Sequence, residues 1–501
     1  MNMDSLTSEE LEEIKAIEIW INLPRFDNII REYTSYDIWK MRSKYKNSYV
    51  SNEMSKKLYN ILLMCKKNKT CTYTFGCLDP VQLIHMTPYV ETIYVSGWQC
   101  ASTASTNNEP GPDVADYPMD TVPNKVDQLF RTQEFHSRKQ KIHNLNTNDN
   151  INIDYYRPMI ADADTGHGGI SAVMKLTKMF IENGAAGIHI EDQKAGTKKC
   201  GHMGGKVLVS TQEHVKRLKA IRLQADIMNS QLIIIARTDA VSAKYIDSNY
   251  DDIDKKYILG KLRYDIDNNG NYTKEKECLF SEAVEFIARR NINKNTEIHT
   301  DIYNKHIMNI LNNLYEPFDW DWNLCRSIEG YYKVKNGFEY ASARLLEYCK
   351  YSDMLWCETN TPNLEKATWL SKKILSKYPN MFLSYNLSPS FNWSNTNMND
   401  NDLKTFIINL GKVGYVWQFI TLAGFHLNGL ASQCFSELYQ KDGILAYVRD
   451  IQNKEIYKKM PLVKHQQWSG SEVLDEVLNI INSGKSCSTI STDGSTEKQF
   501  S

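Results

Sequence analysis

The residues best equipped for chemistry lie close together in Lys198-Lys199-Cys200-Gly201-His202-Met203. A thiol, an imidazole and two ammonium groups stand within five positions. Cationic neighbours stabilise a thiolate, so Cys200 is placed to exchange a proton near neutrality. Gly201, Gly204 and Gly205 let the backbone turn tightly around whatever sits there. Alone, such a hexapeptide is a surface loop that happens to carry a cysteine. Its weight comes from a second set of polar groups, each ending a short apolar run: Ser96-Gly97-Trp98-Gln99, Asp162-Ala163-Asp164, Glu191-Asp192-Gln193, Arg237-Thr238-Asp239, Glu358-Thr359, Asn386-Leu387-Ser388-Pro389-Ser390 and Thr421. Asp162, Asp164 and Glu191 put hard carboxylate oxygens at these ends. Arg237 follows a very apolar run and suits bidentate recognition of a carboxylate; a salt bridge to Asp239 is its other use, and the two coexist.

Positioning these groups is the work of eight short runs, Thr72–Phe75, Thr92–Val95, Pro158–Ala161, Gly187–Ile190, Leu232–Ala236, Met354–Trp356, Met381–Tyr385 and Val416–Ile420, each followed by a stretch able to form a helix. Such alternation predicts parallel βαβ units, and eight of them predict an α/β protein built on a TIM-type (β/α)8 barrel. A barrel is preferred to an open doubly wound sheet because it brings the loops after all eight strands to one mouth. Thr7-x-x-Glu10 is a capping box ahead of an apolar helical pattern, and a second helix is expected over Ser51–Lys66. Residues 1–70 therefore read as an N-terminal helical segment and 71–249 as the first part of the barrel, with its catalytic loop at 196–206. Residues 250–328 are far longer than a usual connection of ~2–6 residues. They read as a helical insertion after the fifth strand, with patterns over Leu279–Ile287 and Ile302–Leu314. The second part of the barrel follows at 329–430, C-terminal helices at 431–482, and a Ser/Thr-rich tail expected to be disordered at 483–501.

A net charge of -1 without any basic block points away from nucleic acid and anionic membranes as partners. The apolar runs are too short to span a bilayer, and Met1–Glu13 lacks the apolar core of a secretory signal. Eleven scattered cysteines without a CxxC pair fit reduced thiols in the cytoplasm. The C-terminus is not a Ser-Lys-Leu-type address.

The motifs KKCGHMGGKVLV, SGWQ, ADADTGHGG, GIHIEDQ, IARTDA, WCET, NLSPSFNW and QFITLAGFH resemble the isocitrate lyase family, within the isocitrate lyase/phosphoenolpyruvate mutase superfamily. The stretch STASTNNEPGPDVADYPMDTVPNKVDQLF resembles its eukaryotic, fungal-type branch. The resemblance implies a modified barrel with terminal helices swapped between subunits of a homotetramer. It also implies cleavage of isocitrate to succinate and glyoxylate, the first step of the glyoxylate bypass, with Mg²⁺ as cofactor and Mn²⁺ able to substitute. By the same resemblance Asp162 is the direct metal ligand, and Asp113, Asp164 and Glu191 act largely through water. Ser96, Gly97 and Trp98 form a turn that holds glyoxylate. Gly201, His202, Arg237, Glu358, Asn386, Ser388, Ser390 and Thr421 meet the rest of the substrate. Cys200 is then the general acid that protonates the succinate aci-anion, its pKa lowered by Lys198, Lys199, His202 and the metal. Tyr94, on the same strand face as Ser96, is one candidate base and a metal-bound hydroxide the other. His202 is expected to orient a carboxylate; the role of Glu358 is left open. Ser210 stands where the family often has proline, which is expected to loosen the exit of the catalytic loop. Rival readings are 2-methylisocitrate lyase, against which Thr421-Leu422 speaks, and a barrel that has lost catalysis. Zinc on Cys200 and His202 would have too few ligands for a closed site.

Overall fold

Inside the molecule, seven parallel strands run side by side in the order β1 (Ile93–Val95), β2 (Met159–Asp162), β3 (Gly187–Glu191), β5 (Ile233–Thr238), β11 (Met354–Cys357), β12 (Phe382–Asn386) and β13 (Tyr415–Phe419). This computed structural model describes residues 6–103, 106–107, 109–147, 150–291, 319–486, 488–490 and 496–500. The expected first strand, Thr72–Phe75, is an extended stave joined to its neighbours by isolated bridges. Thr72 N–H donates to Val416 O at 3.1 Å and Ile420 N–H to Thr74 O at 3.2 Å, while Tyr94 N–H reaches Phe75 O at 3.4 Å. These bonds join β13 to β1 and close the barrel; the other seven strands lie within a residue or two of their expected places.

Strand residues alternate with period two. Ile233 and Ile235 face the barrel interior with Tyr94, Ile160, Met354, Trp356, Trp417 and Phe419, whereas Ile234 and Ala236 pack outward. The floor is the helix Val50–Asn68, whose Leu58 and Leu62 enter the inner cluster. Helix Ser8–Ile21 starts on the expected capping box at Thr7 and Glu10. A further helix, Ser35–Met41, was not expected and begins on a second capping box at Thr34 and Asp37.

Residues 250–328 correct the expectation of an all-helical insertion. Strands β7 (Leu259–Ile266) and β8 (Tyr272–Leu279) form an antiparallel hairpin extended by β9 (Asp319–Asp321). The expected helix over Leu279–Ile287 is present as Phe280–Asn291, and Leu262, Cys278, Ala283 and Ile287 form a separate small core. The second pattern, Ile302–Leu314, lies outside the described residues. A small sheet of β4 (Val207–Leu208), β6 (Tyr245–Ile246) and β10 (Tyr332–Lys333) lies on the C-terminal side of the barrel and anchors the end of the catalytic loop. Helix Ala423–Asp442 crosses the boundary expected at 430/431. Described parts of the tail are tied down rather than free: Gln466 N–H and Gln467 N–H donate to Glu497 at 2.5 and 3.2 Å.

Candidate active site

Strand parity builds the site. Each inward-facing position continues two residues on into a polar group at the mouth: Tyr94 into Ser96, Ile160 into Asp162, His189 into Glu191, Ile235 into Arg237, Trp356 into Glu358 and Ser384 into Asn386. Of these mouth groups, Ser96, Asp162, Glu191, Arg237, Glu358 and Asn386 are all buried.

On one side stand the carboxylates. Asp162 accepts from the backbone N–H of Gly97 at 3.1 Å and of Asp164 at 2.9 Å. Asp164 takes the left-handed conformation (φ 48°), unusual for a residue with a side chain, which turns the chain back over the mouth. Its carboxylate accepts from the Tyr117 hydroxyl. A side chain on Gly97 would meet Tyr117, Asp162 and Asp164 within 3 Å, so only glycine lets that turn approach them. Lys198 Nζ lies 2.5 Å from Asp113 and 2.7 Å from Asp164. Burial works against the charge of Asp162, but His189, Lys198 and Arg237 outweigh it and hold its pKa below the usual range. Burial pushes Asp113 up to about 6 even with Lys198 beside it, and raises Glu191 well above its ordinary value against the pull of Arg237. Glu191 Oε1 is buried without a hydrogen-bond partner among the described residues. No three His, Cys, Asp or Glu side chains among those residues converge into a preformed ligand cluster. The oxygen donors of Asp113, Asp162, Asp164 and Glu191, with Glu191 Oε1 unpartnered, are of the chemical kind suited to a hydrated divalent cation such as magnesium, which takes one or two carboxylates directly and reaches others through water.

Opposite stands a chain of alternating charge. Arg237 lies 3.1 Å from Glu191, 3.0 Å from Asp239 and 3.8 Å from Glu358, with its guanidinium 4.4 Å above the Trp356 ring. The expected Arg237–Asp239 pair is thus present, and Asp239 is in turn held by Asp192, which accepts from its backbone N–H at 3.0 Å. Asn386 Nδ2 points to Glu358 at 3.3 and 3.4 Å, and its Oδ1 is buried without a hydrogen-bond partner among the described residues. His202 Nε2 lies 3.3 Å from the same carboxylate. Burial alone would lower the His202 pKa; Glu358 and the hydrogen-bonded Cys200 reverse this and raise it to about 9. Gly201 packs so closely that a Cβ there would sit 2.7 Å from Arg237 Nη2 and 2.9 Å from Glu358. The catalytic loop is therefore docked onto the mouth, with Cys200 half-buried above it.

Several expectations change. Lys198 and Lys199 do not flank the thiol: Lys198 is turned into the carboxylates and Lys199 Nζ toward Thr197 O. His202 is the cation beside Cys200. Tyr94 is a poor base, because burial first and Asp162 second raise its pKa well above 10. Its hydroxyl lies 3.3 Å from Asp162 and 3.0 Å from His189. Ser96 Oγ accepts from Gln99 N–H as a helix cap. Trp98 packs edge-on against Phe425 at 5.0 Å. Ser388 is buried but Ser390 is exposed, and Phe391 from that loop meets the His202 ring at 5.3 Å. Thr421 follows β13 at the same end of the barrel, partly buried. Ser210 does not loosen the loop exit: it caps the helix Thr211–Ile227, accepting from Glu213 N–H at 3.1 Å, and bonds Tyr250 at 2.7 Å. Tyr117, His189 and Lys206 were missed. His189 shares strand parity with Glu191, a signal that would have found it; burial keeps it neutral, with a pKa lowered to about 4.

The sequence pattern of the Isocitrate lyase family matches residues 13–281 and 280–500. Isocitrate lyase of Kluyveromyces lactis is 42% identical, over 97% of this chain and 97% of its own. That of Saccharomyces cerevisiae is 42% identical over 97% and 94%. A mitochondrial 2-methylisocitrate lyase of Hypocrea atroviridis is 37% identical over 97% and 94%. With these matches along nearly its whole length, the chain belongs to the isocitrate lyase family.

Proposed function

We propose that the protein cleaves the C2–C3 bond of isocitrate, giving glyoxylate and succinate in the glyoxylate bypass. The observation that carries this reading is the arrangement of Cys200, His202, Glu358 and Arg237 as one contiguous chain facing the carboxylates Asp113, Asp162, Asp164 and Glu191 across the mouth. The reaction needs a charged trianion gripped, a hydroxyl proton removed and a carbanion equivalent protonated. Asp162 would hold Mg²⁺ directly, with Asp113, Asp164 and Glu191 reaching it through water, and the bound ion would make the C2 hydroxyl more acidic. Arg237 binds a substrate carboxylate while Asp239 and Glu191 fix its plane. Asn386 and Ser388 supply neutral donors for the succinate half, and the Ser96–Trp98 turn supports the glyoxylate half.

As the C2–C3 bond breaks, its electrons pass onto the C3 carboxylate as an aci-anion, and the Cys200 thiol delivers a proton to C3 from the docked loop. His202, held cationic by Glu358, stabilises the thiolate left behind. Docking of the loop excludes water, which would otherwise quench the anion. The reading includes a cytoplasmic enzyme, supported by the free thiols of all ten described cysteines. It also includes a homotetramer with swapped terminal helices, supported by apolar side chains left bare on those helices, such as Leu430 at 66% and Ile481 at 71% exposure. Glyoxylate trapped as its phenylhydrazone from isocitrate with Mg²⁺, and abolished by EDTA, is the expected result. No glyoxylate from correctly folded protein would favour a barrel that has lost catalysis.

A further inference from the structure

Among the described residues the buried arginines are Arg217, Arg222, Arg237 and Arg344. Arg222, Arg237 and Arg344 each have a carboxylate beside them, at 2.6, 3.0 and 3.0 Å. Arg217, only 4% exposed, has none at ion-pair distance among those residues. Its Nη1 donates to Glu191 O at 3.2 Å and Gln193 O at 2.9 Å, while its Nε is buried without a hydrogen-bond partner among the described residues. Burial lowers its pKa, and the more distant Glu213 and Asp192 offset this only in part. With Nη1 committed to carbonyls, Nε and Nη2 form the remaining edge of the fork, the geometry that takes a carboxylate bidentately.

That guanidinium lines a cleft of about 300 Å³, the lower end of the roughly 300–1,000 Å³ usual for small-molecule pockets. The cleft lies behind the catalytic loop, with Lys194 before the loop and Ser210 after it on its wall; none of the mouth carboxylates lines it. The half-exposed Tyr250 on the same wall gives it access to solvent. Ser248 Oγ, also on the wall, is buried and equally without a partner among the described residues. The other charges of the cleft are already paired, Lys194 with Asp247 at 3.3 Å and Glu213 with Lys216 at 3.6 Å. Backbone N–H groups at the start of the helix Thr211–Ile227 donate to Asp254, Asp251 and Ser210, so any anion must be taken by side chains. What the cleft offers a ligand is one cation in fork geometry and one hydroxyl.

We propose that this cleft is a second ligand site, for a small 2-hydroxy monocarboxylate. The carboxylate takes the Nε–Nη2 edge of Arg217 and the hydroxyl meets Ser248 Oγ. A single negative charge balances the one unpaired cation; a second would be repelled by Asp247 and Glu213, and a neutral ligand would leave the buried guanidinium uncompensated. Occupancy is felt at the walls, which are joined by backbone bonds from Lys194 N–H to Val207 O, Val209 N–H to Asp192 O and Asp247 N–H to Leu208 O.

The test is amide hydrogen exchange on the full-length protein in EDTA, with sodium glycolate, sodium acetate or inorganic phosphate as the added anion. In wild type, glycolate is expected to slow exchange saturably in peptides covering Lys194, Val209 and Asp247. Acetate, which lacks the hydroxyl, should need about fivefold more to do the same. Arg217→Gln should abolish the effect, Arg217→Lys should weaken it about tenfold by losing the fork, and Ser248→Val should bring glycolate down to the level of acetate. No saturable slowing in wild type, the same slowing in Arg217→Gln, or slowing confined to residues 96–98 and 162–164 at the mouth would each overturn the site. Phosphate acting at lower concentration than glycolate would overturn its assignment to a carboxylate. If Arg217→Gln fails to fold, Arg217→Lys and Ser248→Val decide: a weaker glycolate response in either supports the site, and an unchanged response in both overturns it. No cleavage is measured, so a failure of the lyase reading leaves this result intact.

Discussion

In the proposed reaction Cys200 works beside the His202–Glu358 pair, and that pair has a pH signature. His202, with its pKa raised to about 9, is held cationic in the docked loop. A raised folded-state pKa gives stabilisation that is complete below the unfolded value of about 6.5 and is lost as pH rises through about 9. His202→Gln is thus expected to destabilise the protein near neutral pH and to lose that effect above the folded pKa, as read from melting curves of both proteins across pH. A constant difference would separate His202 from Glu358. Cys200→Ser is expected to lower kcat by about 10²–10⁴-fold, the range of a positioned proton transfer, while substrate binding measured by calorimetry is nearly kept. Asp162→Asn should raise the Mg²⁺ concentration needed for half-maximal rate steeply; an unchanged requirement would remove it from direct coordination. At this scale the sequence was most readable where chemistry and strand parity coincide, as at Asp162, Arg237 and Glu358. It was least readable in where the long side chains go. Lys198 and Lys199 directly precede Cys200 along the chain, but four or more bonds of flexible stem carried one of them to Asp113, 85 positions away in sequence.

Among the elements, the catalytic loop is shaped by what lies under it. A methyl group at Gly201 would press on Arg237 and Glu358, so Gly201→Ala is expected to lift the loop and cut kcat about 10²-fold, with the melting temperature of the barrel unchanged. Ser210→Ala removes a helix cap and should cost about 1 kcal/mol in denaturant unfolding. The barrel itself was legible because its inner strands are continuous apolar runs, each ending in a polar group. Thr72–Phe75 was read as a strand from its β-branched and aromatic residues, and it forms bridges at the seam. The hairpin of the insertion was not legible: Thr273-Lys274-Glu275-Lys276-Glu277 is charged on both faces and carries no period-two apolar signal, and its pairing is set by partners across the turn at Asp267–Gly270.

At the scale of the whole molecule, the C-terminal helices leave Leu430, Ile444, Ile480 and Ile481 bare, each more than 60% exposed, an apolar surface that the homotetramer proposed above would cover. Sedimentation is expected to give four times the 57.9 kDa chain mass, and Ile480→Glu with Ile481→Glu is expected to break that assembly; a monomer in the wild type would contradict the swapped-helix reading. The account as a whole stands on the substrate. Measured side by side with Mg²⁺, kcat/KM is expected to be higher for isocitrate than for 2-methylisocitrate by roughly tenfold or more, the scale on which a pocket discriminates one carbon. Equal values, or a preference for 2-methylisocitrate, would contradict it.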